Sequence, residues 1–174
     1  MWPTAQIATM VAVSTPTNLE IRPPSRQELP AVAVLAAKMV RLHHSFDPER
    51  FFVTEALELG YERFLASELH SPQAVLIGAF LDGHPVGYAY GRLESRDFAM
   101  LLDVHGVLHD LFVDESARGT GVGKKLVTEA IRRLEALGAP RVILYAATAN
   151  EGAQRLFESL GFRRTMVEMT REKG

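Results

Sequence analysis

From Leu19 onward the apolar and polar positions fall into short blocks, each with the period and length of one element. Leu19–Arg22 predicts a short strand stopped by Pro23 and Pro24. Ser25 and Glu28 have the spacing of a capping box, but a proline five residues beyond the cap crowds the preceding turn. Residues 25–28 therefore predict a tight turn, with Pro30 as the first helical residue and a helix running to about Arg41. Residues 43–52 predict a loop with turn chemistry at Asp47 and Pro48. A second helix starts at Thr54, carries Tyr61, Phe64, Leu65 and Leu69 on one face, and ends at Ser71 and Pro72.

Residues 74–80 and 85–93 predict two strands joined around Asp82 and Gly83, a hairpin signal. Tyr88 and Tyr90 face one side of the second strand together, where they either line a cleft or pack. A third strand spans residues 104–113. A glycine cluster follows, then a helix whose Leu126, Val127, Ala130, Ile131 and Leu134 mark one buried face, closed by Gly138 and Pro140. Residues 142–147 predict an apolar strand and 150–160 a helix. Gly161 opens a last strand ending near Met169. A hairpin followed by strand–helix–strand–helix–strand predicts an α/β (α+β) fold: one mixed sheet with helices on both faces.

Composition narrows the chemistry. The 174 residues suit a single domain over 19–174 behind a flexible segment over 1–18, and 47% hydrophobic with 23% charged residues is the balance of an ordinary globular protein. A net charge of −2 offers no basic excess for a phosphate backbone, so nucleic acid is not an expected partner. No cysteine is present, which excludes disulfides, thiolate metal sites and a cysteine nucleophile. The first 17 residues lack lysine and arginine and are interrupted by Pro3, Gln6 and Ser14, unlike a signal peptide, and no run suits a membrane span. A cytoplasmic location is expected.

Arg118, Gly119, Thr120, Gly121, Val122 and Gly123 lie between a strand and an amphipathic helix, where residues without side chains let first-turn N–H groups approach an anion. The run is not a Walker loop, since Gly119 and Gly123 enclose three residues and Lys125 follows Lys124; nor is it G-x-G-x-x-G. It does match the pattern [Arg or Gln]-x-x-Gly-x-[Gly or Ala] of the GNAT superfamily of acyl-CoA N-acyltransferases. Leu111, Phe112 and Val113 before it also resemble that family. Asn150, Ala153, Phe157 and then Leu160, Gly161 and Phe162 stand at the spacing of its second motif. The resemblance covers 104–165 closely and 19–93 by element order.

The resemblance implies a GNAT-like, mostly antiparallel sheet with a splayed pair of central strands, and acetyl-CoA as cosubstrate without a metal. N–H groups from Arg118 to Lys124 would hold the pyrophosphate, with Arg118 adding a charged contact. The pantetheine arm would insert beside the strand carrying Leu111, Phe112 and Val113, along Asn150, Ala153 and Phe157. The N–H of Leu111 would donate to the thioester carbonyl. Asn150 reads equally well as a plain N-cap. Transfer would be direct, within a ternary complex, to a small-molecule amine or a peptide or protein amine, and a homodimer is possible within the family. The rival readings are a catalytically silent acyl-CoA-binding module and a nucleotide-binding domain.

An attacking amine must lose a proton, which makes His109 or Asp110, on the strand beside the expected thioester, the candidate base. Strand alternation puts them on opposite faces, so one of the two is expected to reach the cleft. His105 and His109 have the spacing of a helical metal pair, yet on a strand they stand roughly 13 Å apart, which argues against a metal. His43, His44, Asp47, Glu49 and Arg50 fall in the loop where the family commonly builds its acceptor pocket, and the same residues also read as the polar positions of a solvated loop. Phe157 occupies the position where many members carry a tyrosine that protonates the departing thiolate. Tyr145 is the substitute acid, although an aromatic there is expected to pack with its hydroxyl bonded elsewhere.

Overall fold

In the computed structural model, which describes residues 18–173, nine elements build one five-stranded sheet between two helical layers. The segment over 1–17, expected to be flexible, lies outside the described residues. The strands are β1 (Leu19–Arg22), β2 (Ala74–Leu81), β3 (His84–Glu94), β4 (His105–Val113) and β5 (Val142–Leu144), and they lie side by side in that order. The first three neighbouring pairs are antiparallel, and β4 with β5 is parallel. The helices are α1 (Leu29–Phe46), α2 (Leu57–Glu68), α3 (Val122–Ala136) and α4 (Glu151–Ser159).

Each sheet face has its own core, as the two apolar helical stripes require. On one face Leu29, Val32, Leu35 and Ala36 of α1 and Leu65 of α2 close over Tyr88 and Phe112. On the other, Leu126, Val127, Ala130 and Leu134 of α3 and Phe157 of α4 pack on Ile77, Ala89 and Leu108. Leu126 and Leu134 are fully buried, and each such side chain contributes about 2 kcal/mol by leaving water.

Four expectations change. The Ser25–Glu28 capping geometry does form: Ser25 N–H donates to the Glu28 carboxylate at 2.7 Å, one 3-10 turn spans Arg26–Glu28, and α1 starts at Leu29. Pro30 is harmless in the first helical turn, whose N–H groups have no intrahelical acceptor. At its far end α1 runs on to Phe46, so His43 and His44 belong to its last turn, because no breaking residue precedes Asp47. The strand over 142–147 shortens to Val142–Leu144. The strand expected after Gly161 does not form, and 162–173 carries no regular structure. Its two alternating faces read Phe-Arg-Met-Glu and Arg-Thr-Val-Met from Phe162 to Met169, so neither offers a continuous apolar stripe to bury.

Candidate active site

One extra residue in β4 organises the site. Tyr90 pairs with Asp110 and Gly91 with Leu108, which leaves His109 unpaired in a β-bulge. A Cβ on Gly91 would come within 2.7 Å of the Val107 carbonyl, so the strand facing the bulge needs a glycine there. The bulge cancels the alternation expected of His109 and Asp110 and turns both to the α1–α2 face. The His109 ring stacks on Tyr90 with centroids 5.5 Å apart, and Asp110 accepts a 2.9 Å hydrogen bond from the Tyr88 hydroxyl. The tyrosines do share a side: Tyr88 packs in the core, while Tyr90 donates to Glu68 at 2.8 Å.

The bulge also redirects the backbone. Gly106 N–H donates to Arg141 O, toward β5, whereas Asp114 N–H donates to Val86 O, toward β3. Counting back by alternation from Asp114, the N–H of Leu111 points to the β5 side. Pairing of β4 with β5 stops at Leu108 opposite Leu144, so the strands splay and Leu111 faces a gap. That gap is a narrow cleft running through the sheet. Leu108, Leu111 and Leu144 line it, with Ala153 and Phe157 of α4 on one side and Met39 and His43 of α1 on the other.

His109 and Tyr145 meet at the cleft. The imidazole is 40% exposed, and its Nε2 stands 3.8 Å from a Glu94 carboxylate oxygen. Loss of water pushes its pKa below the ordinary imidazole value, with Glu94 pulling the other way. Burial pushes the Asp110 carboxyl the opposite way, up to about 6, against the pull of the Tyr88 hydroxyl and of the nearby His43. Tyr145 is not packed away as expected: it is 60% exposed and lines the cleft. Phe157 is buried edge-on to Phe162, at 5.8 Å.

At the other end, Gly119 and Gly121 have φ of 76° and 84°, which only glycine adopts without strain. Gly121 precedes α3 without a side-chain cap, so the N–H groups of Val122, Gly123 and Lys124 point outward unbonded within the helix. Thr120 Oγ1 donates to Ala117 O at 2.7 Å, and Arg118 Nε to Val113 O at 3.1 Å, which tie the loop to the end of β4. Asn150 caps α4 by accepting from Ala153 N–H and also lines the cleft, so its two readings coexist. Gln154 donates to the carbonyls of Ala147 and Thr148 and fixes the turn after β5. An uncapped helix start joined by β4 to a slot through the sheet fits a ligand with an anionic head and a long thin arm.

The comparisons decide the family. The model of the Acetyltransferase (GNAT) family matches residues 38–162. The chain belongs to the GNAT acetyltransferase family. A mycothiol acetyltransferase of Nocardiopsis dassonvillei is 36% identical over 67% of this GNAT chain and 28% of its own length. One from Acidothermus cellulolyticus is 31% identical over 74% of this chain and 34% of its own. The chain thus spans about a third or less of these relatives. Among solved structures, a mutant of a Bacillus halodurans protein has a TM-score of 0.75 at 24% identity, covering 88% of this chain and 99% of that one. An aminoglycoside N-acetyltransferase solved with CoA has a TM-score of 0.70 at 18% identity, covering 92% and 98%. Both likenesses concern the fold.

Of the residues singled out in the sequence of this GNAT chain, His109, Leu111, Tyr145, Asn150, Ala153 and Phe157 come together around the cleft, and 118–124 gather at the start of α3. Asp110 sits behind His109 instead, against Tyr88. Phe112 and Val113 face the two cores. His105 is buried with Nδ1 donating to Asp103 O at 2.7 Å, and among the described residues no group of three or more histidines and carboxylates is placed to hold a metal. Glu94, Met39 and Gln154 were missed. Glu94 shares the alternation of Tyr88 and Tyr90 on β3, a signal that reaches His109 only once the bulge is known. No helix among the described residues is long and apolar enough to cross a membrane.

Proposed function

We propose that this chain moves an acetyl group from acetyl-CoA directly to a primary amine, with His109 as general base and Tyr145 as the acid for the departing thiolate. The N–H groups at the start of α3 would hold the pyrophosphate and the cleft the pantetheine arm. The observation that carries the reading is the meeting of three groups at the end of the splay: an unpaired Leu111 N–H, a half-exposed imidazole and an exposed phenol. His109 is favoured over Asp110 because it lines the cleft and stays neutral at neutral pH, while Asp110 already accepts from Tyr88.

The chemistry balances within this set. His109 takes the proton that the ammonium must lose, and the amine nitrogen bonds to the acetyl carbon. Leu111 N–H donates to the carbonyl oxygen as it gains charge. The carbon–sulfur bond breaks, its electron pair leaves on sulfur and Tyr145 supplies the proton there; the second proton, which the adduct nitrogen sheds as it becomes an amide, returns to the Tyr145 phenolate, so the net products are amide, thiol and one proton on His109. A thiol pKa near 8.5, about two units below an alkyl ammonium, makes that last step an assistance rather than a requirement. The mycothiol and aminoglycoside acetyltransferases among the comparisons are consistent with a small-molecule acceptor.

The test is to incubate the chain with acetyl-CoA and a set of amines, following released CoA thiol and the acetylated product by mass. The protein has no cysteine to interfere with the thiol assay. Equimolar thiol and acetyl-amine are expected. Tight acetyl-CoA binding without turnover of any amine would instead establish the silent acyl-CoA-binding module.

A further inference from the structure

A second hollow of about 570 Å³ opens beside the cleft and shares His109 and Tyr145 with it. None of its lining comes from α1 or α2; it lies over the start of β4 and over β5, under the connection from β3 to β4. Val107, Ile143 and Leu102 line it, and Phe98 and Met100 reach over it from the connection, 80% and 47% exposed. Large apolar side chains left in water around a concave floor are what a ligand with an apolar body would cover.

The charged groups around this hollow already have partners, those of Glu94 being the loosest. Arg96 gives two hydrogen bonds of 3.0 Å to Asp103. The Asp97 carboxylate accepts from the N–H groups of Ala99 and Met100. Arg92 gives its hydrogen bonds to Glu68 and Ser71. Glu94 is left with one loose ion pair, 3.5 Å from Arg92 Nε, and stands 3.8 Å from Nε2 of the neutral His109. The hollow therefore presents the Glu94 carboxylate beside the proposed base, with an apolar part formed by Phe98, Met100, Leu102, Val107 and Ile143 and a polar rim whose Arg96 and Asp97 are already engaged.

We infer that this hollow is the acceptor subsite and that it takes a primary ammonium carried on an apolar body, an alkyl or arylalkyl amine, in preference to polyhydroxylated amines and to amines bearing a carboxylate. The inference rests on the acetyl-transfer reading and gives that reaction its acceptor. Glu94 receives the ammonium next to His109, which then takes the proton. Hydroxyls laid on Phe98, Met100, Leu102 and Val107 lose water without gaining partners, and a substrate carboxylate meets Glu94 and Asp97. An apolar body gains by leaving water on the same wall.

The experiment compares kcat/KM of the full chain at saturating acetyl-CoA for phenethylamine, hexylamine, glucosamine, kanamycin and phenylalanine. The first two are expected to exceed the others by at least about tenfold, and phenylalanine differs from phenethylamine only by its carboxylate. In the double variant Phe98→Ser, Met100→Ser the ratio of phenethylamine to glucosamine is expected to fall about tenfold. In Glu94→Gln the discrimination against phenylalanine is expected to shrink. A polyhydroxylated amine or phenylalanine turned over as well as the apolar amines overturns this inference and leaves acetyl transfer standing. Retention of the preference in both variants moves the acceptor elsewhere and overturns it too. If none of the five amines is acetylated, the acetyl-transfer reading falls, and this inference with it.

Discussion

His109 and Asp110 are neighbours in sequence and share a sheet face, yet their surroundings push their protons in opposite directions. The histidine keeps part of its ring in water and is held neutral; the aspartate lies beneath α1 with its pKa near 6. A carboxyl with a folded pKa of about 6 and an ordinary value of 3.8 binds more protons folded than unfolded between those values. Its contribution to stability is therefore lost as pH rises through that window, by up to about 3 kcal/mol. Asp110→Asn is expected to raise the unfolding free energy at about pH 8 by roughly 1–3 kcal/mol, with the gain fading toward about pH 4, as read by urea denaturation. Its kcat should stay within about threefold of wild type, since another residue is the base. Collapse of turnover in Asp110→Asn would return the base to Asp110.

Tyr145 and Phe157 pose the matching question on the leaving-group side. Phe157 packs in the core and has no proton to give, while Tyr145 is exposed at the cleft. Tyr145→Phe is expected to lower kcat by about tenfold with acetyl-CoA binding retained, which steady-state kinetics and a binding titration would separate. An unchanged kcat would mean that the thiolate leaves without an acid.

At the level of elements, the order of strands and helices along the chain, both helical layers and the hairpin at Asp82 and Gly83 were legible, because period and turn residues report local geometry directly. The bulge was not. A single sequence gives no sign that Tyr90 pairs with Asp110 while Gly91 pairs with Leu108, since register depends on the partner strand. Alternation alone therefore put His109 and Asp110 on opposite faces and hid the link to Glu94. The last strand failed for the converse reason: residues 162–169 resemble a strand in composition but offer no continuous apolar face. The start of α3 was legible from its glycines, and it yields a direct test. Gly121→Glu places a charged side chain at a residue with φ of 84° and in front of the free N–H groups. The rise in melting temperature produced by acetyl-CoA is expected to vanish in this variant, while its far-ultraviolet dichroism remains that of a folded chain. Stabilisation equal to wild type would remove the pyrophosphate from this helix start.

The whole molecule turns these local features into one arrangement. Two cores clamp the sheet from both sides, so the splay between β4 and β5 becomes a passage through a rigid layer rather than a surface groove. The helix start at Gly121 and the hollow beneath Phe98 give that passage two approaches, and both converge on His109. The central claim is that His109 removes the proton of the acceptor amine. The most direct measurement is the pH dependence of kcat/KM for acetyl transfer by wild type and His109→Ala. The wild-type profile should have its acid limb below the ordinary imidazole value, as burial of the ring requires. The variant should lose roughly 10²–10³-fold near neutrality and recover toward about pH 10, where the amine deprotonates unaided. A variant that keeps the wild-type rate and the wild-type acid limb would contradict the account.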